Sequence, residues 1–223
     1  MFRVCVSPWL PIAAVLALAG CSTGGSDFVA EYEPWRSSEE NSCLASGAVR
    51  ASPFLRTRSA LGGPSVCGSE HPFEMSGVLG GRVSLKPAAL LRCPMVPSVE
   101  SWTGEVVAPA ALRYFGSPIA EMSVVASYSC RPIDNISGGR LSEHGYANAV
   151  DIAAFVLTDG RKISVKSGWY GSDRERAFLR FVHDGACRQF TTVLGPEADS
   201  YHRDHFHLDL ARHGRDGLKH ICR

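Results

Sequence analysis

The sequence carries no excess of charge of either sign: 23 Lys and Arg stand against 22 Asp and Glu, a formal net charge of +1 over 223 residues. Such a chain has no global field with which to hold a polyanion, and nucleic acid is set aside as a partner on that ground. No apolar run reaches the ~20 residues that a membrane-crossing helix needs; the stretch from Trp9 to Ala19 is far too short. No two cysteines stand at CxxC spacing, which disfavours a zinc ribbon or a thioredoxin-type redox centre. At about one and a half typical domain lengths, the chain has little room for a repeat array. What is present is ordinary globular composition, 45% hydrophobic and 20% charged, so most of the chain is expected to fold.

The N-terminus differs from the rest. Arg3 is the only charge before the apolar run, which ends in Leu18-Ala19-Gly20-Cys21. Small residues before a cysteine, behind an apolar core too short to span, indicate a secretory signal over 1–20. The tetrapeptide resembles the lipobox of bacterial lipoproteins, which implies a lipid on Cys21 as membrane anchor. With Ser22 after it, the resemblance implies a periplasmic protein held to the outer membrane. Setting Cys5 and Cys21 aside from the 8 cysteines leaves Cys43, Cys67, Cys93, Cys130, Cys187 and Cys222. An even set in an oxidising compartment predicts three disulfides. Pairing between sequence neighbours, Cys43–Cys67, Cys93–Cys130 and Cys187–Cys222, is the expectation.

Residues 21–42 are rich in Ser, Gly and Glu without apolar periodicity and are assigned as a flexible tether. Residues 43–80 contain Gly-Gly-Pro and His-Pro breakers and are expected to be irregular and disulfide-tied. The folded domain is placed at 81–223. Within it, Pro87 with Ala88, Leu90, Leu91 and Met95 suggests a helix, and Pro109 to Phe115 a second one stopped by Gly116. Strands are expected at 123–129 and 149–157. Thr158 to Arg161 turns the latter into a hairpin with 162–166, and a last strand runs from Phe206 to Ala211. Arg174 to Val182 has helical apolar spacing. The fold class is therefore α+β, a small antiparallel sheet with flanking helices, and a monomer is expected.

The last strand carries the sharpest chemical signal. In His202-Arg-Asp-His205-Phe-His207-Leu-Asp209, period two puts His205, His207 and Asp209 on one face and Phe206, Leu208 and Leu210 on the other. A second constellation, Ser142-Glu143-His144 to Asp151, sets a carboxylate at the start of an otherwise apolar strand, on one face with Ala149, Ala153 and Phe155. A buried carboxylate needs a partner, and a metal cation is the strongest one available. His144, Asp151 and one histidine of the last strand make an N, O, N set; three protein ligands with a fourth position open is the catalytic zinc pattern.

Ser142-x-His144-x(6)-Asp151 with His205-x-His207 far downstream resembles the signature of the zinc peptidases grouped with lysostaphin, D-alanyl-D-alanine carboxypeptidase and the hedgehog signalling domain. Within that group, Ser127 to Arg131, Ser142 to Asp151, Gly185 to Cys187, Val193 to Pro196 and His202 to Leu210 are similar to the bacterial extensin-like C-terminal domain. The likeness covers roughly residues 80 to 223. It implies a zinc-peptidase-like fold and a Zn²⁺ site of His144, Asp151 and His207. It further implies activity on peptidoglycan stem peptides or cross-links. Where the group's carboxypeptidases have a glutamate shortly before the last zinc histidine, this chain has only Asp204. His202-x-x-His205-x-His207 is closer to the endopeptidase branch, so His205 is assigned to deprotonating the attacking water and stabilising the oxyanion, with His202 second. The missing glutamate keeps open a catalytically inactive, zinc-containing cell-wall-binding lipoprotein. Arg131 sits loosely where the group holds a substrate carboxylate, its alternative being a structural pair with Asp134. The group has Gly where this chain has Ala147. His71, His183, His213 and His220 are expected at the surface, and Trp169-Tyr170 is a secondary candidate for lining a groove.

Overall fold

The apolar run from Ala149 to Leu157 forms the strand on which the functional half of the molecule is built. The computed structural model describes residues 27–30 and 32–223. The predicted signal at 1–20 and, of the predicted tether, residues 21–26 and 31 lie outside the described residues. In chain order the elements are α1 (Pro34–Ser46), β1 (Leu55–Thr57), β2 (Leu61–Gly62), β3 (Gly68–Ser69), β4 (Phe73–Val78), β5 (Val83–Leu91), α2 (Met95–Trp102), α3 (Ala108–Phe115), β6 (Ile119–Ala126), β7 (Ala149–Leu157), β8 (Lys162–Ser164), α4 (Val165–Gly168), α5 (Asp173–Ala186), β9 (Thr192–Leu194), β10 (Phe206–Asp209) and β11 (Ile221–Cys222). Among the described residues no helix is long and apolar enough to cross a membrane.

Nine strands form one sheet in the order β1, β4, β5, β6, β7, β10, β9, β11, with β8 paired to β7 beside that path. Two pairs, β5 with β6 and β9 with β11, are parallel. The expectation of a small antiparallel sheet is therefore corrected to a mixed α/β fold with a large mixed sheet. The parallel β5–β6 pair requires a long crossover, and α2, a π-helical turn at Thr103–Val107 and α3 supply it.

Helices α2, α3 and α5 pack on one face of this sheet around Trp102, which is fully buried, meets Phe155 and Phe190 edge-on at 6.0 and 6.2 Å, and donates its indole N–H to the Val182 carbonyl at 2.9 Å. Truncating such a residue costs about 3–5 kcal/mol. Val150 and Ile152 of β7 and Phe206 and Leu208 of β10 enter this core, which turns Asp151, His207 and Asp209 to the other face. Phe155 departs from the expected face. The β6–β7 ladder shifts register between Ser123 and Val124, and beyond that shift Phe155 points into the core.

Two segments differ from the sequence expectation. The helix expected from Pro87 is strand β5. Val83, Leu85, Ala89 and Leu91 are its buried positions, and Pro87 falls where the β4 partner shifts register, so its missing N–H costs no ladder bond. Residues 34–42, assigned to the tether, form α1 together with the start of the segment expected to be irregular. Glu40 is the only buried residue of α1, and the helix is held by ion pairs rather than by an apolar stripe: Arg36 with Glu143, Glu40 with Arg92 and Glu39 with Arg212. The helix ending at Gly116, strand β7, the hairpin into β8 and the helix over 174–182, now α5, stand where they were expected. Gly116 takes the left-handed φ of 65° that stops α3, and Ser172 with Glu175 forms a capping box on α5.

The disulfides are Cys43–Cys93, Cys67–Cys130 and Cys187–Cys222, so of the expected pairs only the last stands. Neighbour pairing fails because α1 docks on the exit of β5, bringing the Cys43 and Cys93 Cα atoms to 6.0 Å. The β2–β3 hairpin meanwhile lies against the segment after β6, where the Tyr128 hydroxyl donates to the Gly62 carbonyl at 3.0 Å. Digestion without reduction should yield linked peptides for these three pairs, and thiol labelling of the denatured, unreduced protein should mark none of the six. A Cys43–Cys67 linked peptide would contradict the docking of α1.

Candidate metal centre

Three backbone devices bring the ligand residues together. Asp151 and His207 are direct cross-strand partners in the antiparallel β7–β10 pair, so their side chains leave the sheet side by side. His144 comes from a 3-10 turn, Glu143–Tyr146, entered through Ser142, whose Oγ accepts from the His144 amide. Ala147 closes that turn at φ 53° and ψ 27°, left-handed backbone in which a Cβ costs about 1–2 kcal/mol, and which suits the Gly of the resembling family. One ligand atom each from His144, Asp151 and His207 lies within 4.8 Å of the others. The three residues are 1%, 3% and 8% exposed.

The hydrogen bonds fix which atoms face inward. His144 Nδ1 lies 2.5 Å from the Ser127 carbonyl, which only accepts, so Nδ1 carries the proton and Nε2 offers a lone pair. That buried Nε2 has no hydrogen-bond partner, although Asp151 Oδ2 is 3.2 Å away. His207 Nε2 donates to Asp209 Oδ2 at 2.9 Å, which directs Nδ1 at Asp151 Oδ1, also 2.9 Å away. Lone pairs from two imidazoles and a carboxylate thus converge on one point, and only a cation between them removes the repulsion. In the metal-free chain a proton takes that role. Burial disfavours the charged His207 ring, but the bonds to Asp151 and Asp209 outweigh it and push its pKa up to about 10. Burial likewise opposes the Asp151 carboxylate, and the two facing imidazoles hold it well below the usual carboxylate range. The donor set fits a divalent metal. The Asp209–His207 and Ser127–His144 bonds are the outer contacts by which metal-binding histidines are oriented.

The assigned catalytic histidines flank this cluster. The His202 ring lies 5.3 Å from that of His205 and 5.7 Å from that of His207, and His205 Nε2 is 3.6 Å from Asp151 Oδ2. Each has a carboxylate on Nδ1, Asp199 at 2.8 Å for His202 and Asp204 at 3.0 Å for His205, so Nε2 is the free basic atom of both. All five residues line a cavity of about 410 Å³. Arg131 lines it as well, together with Arg140. Arg131 forms no ion pair with Asp134 among the described residues; its guanidinium donates to the Pro132 carbonyl at 3.4 Å, while its own carbonyl accepts from the Ser142 amide at 3.0 Å. The structure thus brings His144, Asp151, His207, His202, His205 and Arg131 to one cavity.

Sequence reasoning gave no role to Asp209, Asp199 and Glu143. Asp209 was visible on the histidine face of β10, and a partner role for it was within reach. Asp199 and Glu143 act only through the folded chain: Glu143 takes both terminal nitrogens of Arg36 at 2.6 Å and the Asn148 amide at 2.6 Å, tying α1 to the turn that carries His144. His183, expected at the surface, is a buried part of the core, its ring 5.5 Å from Trp169 and 5.3 Å from Phe206. Trp169 is buried with it, while Tyr170 is exposed.

No curated protein and no solved structure matches the chain. The family model described as extensin-like protein C-terminus matches residues 41–223, a span that opens inside α1 and takes in the whole sheet and every residue of the metal centre. The chain therefore belongs to the extensin-like C-terminal family.

Proposed function

We propose that the chain is a zinc-dependent peptidase that cleaves peptidoglycan stem peptides or cross-links in the periplasm, anchored through lipid on Cys21. The observation that carries this reading is the convergence of the His144 Nε2, Asp151 and His207 Nδ1 lone pairs at the floor of an open cavity, with two carboxylate-oriented histidines beside them. The motif resemblance to the lysostaphin and carboxypeptidase group supplies the reaction class. The lipobox-like tetrapeptide and the three disulfides support an exported location. Bound there, zinc would supply Lewis acidity, polarising a peptide carbonyl and making water acidic enough to act as nucleophile near neutral pH.

The rest falls to the chain's own groups. His205 Nε2 would take the proton from the attacking water and hydrogen-bond the developing oxyanion, with Asp204 orienting the ring and His202 in support. Arg131 and Arg140 would receive a substrate carboxylate at the cavity wall. The test is digestion of purified sacculi by zinc-loaded protein, with released fragments identified by mass. Release should stop with a chelator and return with added zinc. A second reading, a wall-binding module without turnover, is favoured by one feature: Glu143 and Asp199, two carboxylates that line the cavity, are engaged by Arg36 and His202 and offer no free base. Zinc-loaded protein that binds sacculi and releases nothing would establish that reading instead.

A further inference from the structure

The turn that presents His144 has only local backbone bonds of its own: Gly145 to the Ser142 carbonyl at 2.8 Å, Ala147 to the His144 carbonyl at 3.1 Å and Asn148 to the Glu143 carbonyl at 3.0 Å. It ends on Ala147 in the left-handed region. A short 3-10 turn closed in that way persists where the surrounding structure over-determines it. The surroundings here are Arg36 and Arg92. Arg36 stands in α1 ahead of residue 41, before the span that the family model matches.

Arg36 grips this turn at both ends. Its Nη1 and Nη2 donate to the two oxygens of Glu143, each at 2.6 Å, and its guanidinium lies over the Tyr146 ring, 3.8 Å from the centroid. Glu143 and Tyr146 are the first and last residues of the turn, and His144 lies between them. The Nε of Arg36 donates to Glu33 at 2.8 Å, so the fork cannot rotate without breaking three bonds. Arg92 anchors the grip from the other side. Its amide donates to the Ala147 carbonyl at 2.9 Å, and its side chain donates to the Arg36 carbonyl and, at 3.0 Å, to Glu40. The contacts close a ring from Arg36 through the turn to Arg92 and back. A planar guanidinium uses its fork and its face at once, whereas a lysine ammonium keeps the charge and makes no paired fork.

We propose that Arg36 is a positioning residue for the metal centre: by holding Glu143 and Tyr146 it fixes the turn between them, and so keeps His144 Nδ1 on the Ser127 carbonyl and Nε2 among the ligand atoms. The inference rests on reading His144, Asp151 and His207 as a metal site. Its signature is selective. Asp151 and His207 are set by the β7–β10 ladder, a separate part of the backbone, so losing the grip disturbs one ligand of the three and leaves the other two. A merely structural role for α1 would loosen all three alike.

The experiment measures zinc affinity by competition with a chromophoric chelator, and nitrogen-15 spectra of the imidazoles in the metal-free protein. The proteins compared are the wild type, Arg36→Lys, Arg36→Gln, Glu143→Gln, the double variant Arg36→Gln/Glu143→Gln and Glu39→Gln. Arg36→Lys keeps a positive charge opposite Glu143 and should fold, yet bind zinc about 10-fold more weakly, at the lower end of the effect of losing an outer partner of a metal ligand. Arg36→Gln should lose at least as much. The double variant should bind no more weakly than the weaker of its two single variants, because both changes break the same contact. Glu39→Gln removes a different ion pair of α1, the one with Arg212, and should stay within about twofold of the wild type. In the spectra of Arg36→Lys, His144 should lose its fixed Nδ1–H form while His207 stays as in the wild type. Wild-type zinc affinity in Arg36→Lys, an equal loss in Glu39→Gln, fully additive losses in the double variant, or equal disturbance of both rings would overturn the proposal. A wild type that takes up no zinc would sink the metal reading. The grip is then decided by the metal-free spectra, where an unchanged His144 in Arg36→Lys overturns it whatever the zinc result.

Discussion

Replacing His207 by Ala is expected to take the chain from one bound zinc to essentially none, a larger loss than the roughly 10–100-fold that an outer partner of a metal ligand costs. His207 is central because it links both carboxylates of the site, Asp151 at 2.9 Å and Asp209 at 2.9 Å. That same position confounds the variant: without the ring, two buried carboxylates lose their shared partner, and an unpaired buried charge costs about 3–5 kcal/mol. Two companions separate ligand loss from instability. Asp151→Asn keeps the shape and removes the charge, while His144→Ala removes the one ligand atom that has no partner in the metal-free chain. Both should lose zinc with the three disulfides intact, and His220→Ala in the C-terminal segment should lose none. Unchanged zinc content in Asp151→Asn and His144→Ala would show that the cluster is a hydrogen-bonded network and no metal site.

The parts of this site that local periodicity controls were legible in the sequence. The alternation of β10 separates Phe206 and Leu208, both in the core, from His207 and Asp209, and the single carboxylate in the apolar run of β7 marks Asp151. What joined them is non-local: the pairing of Asp151 opposite His207 spans 56 residues, and nothing in either strand alone sets that register. Helix α1 escaped for a different reason. Its ion-pairing residues Arg36, Glu39 and Glu40 resemble a solvated tether in a sequence and acquire meaning only opposite Glu143, Arg212 and Arg92, beside the Cys43–Cys93 disulfide and the packing of Leu44 on the core. Trp35 belongs to the same pattern, since its ring is approached by the guanidinium groups of Arg36 at 4.3 Å and Arg212 at 4.8 Å. In β5, Pro87 reads as the first residue of a helix because proline suits both places. The deciding alternation of Val83, Leu85, Ala89 and Leu91 runs across it.

His205→Ala is expected to leave zinc content nearly unchanged and to cut peptide release from sacculi by about 10²-fold or more, the scale of losing a general base or an oxyanion donor. The separation of the two effects follows from geometry. His205 lies just before β10 with Asp204 on Nδ1 at 3.0 Å, and its Nε2 is 3.6 Å from Asp151 Oδ2, beside the ligand cluster and outside the set of His144, Asp151 and His207. His205 is also only half-buried, so its removal leaves no orphaned charge in the core, and stability should change little. His202→Ala should have a smaller effect on turnover, because its ring stands behind His205 and is committed through Nδ1 to Asp199. Asp204→Asn provides the intermediate test. It keeps a side chain able to accept from His205 Nδ1 but removes the carboxylate charge beside the ring, and it should lower turnover without altering zinc. Full activity in His205→Ala would reassign proton transfer to His202. An equal loss of zinc and turnover in that variant would instead make His205 a fourth ligand and close the position that catalysis requires to be open.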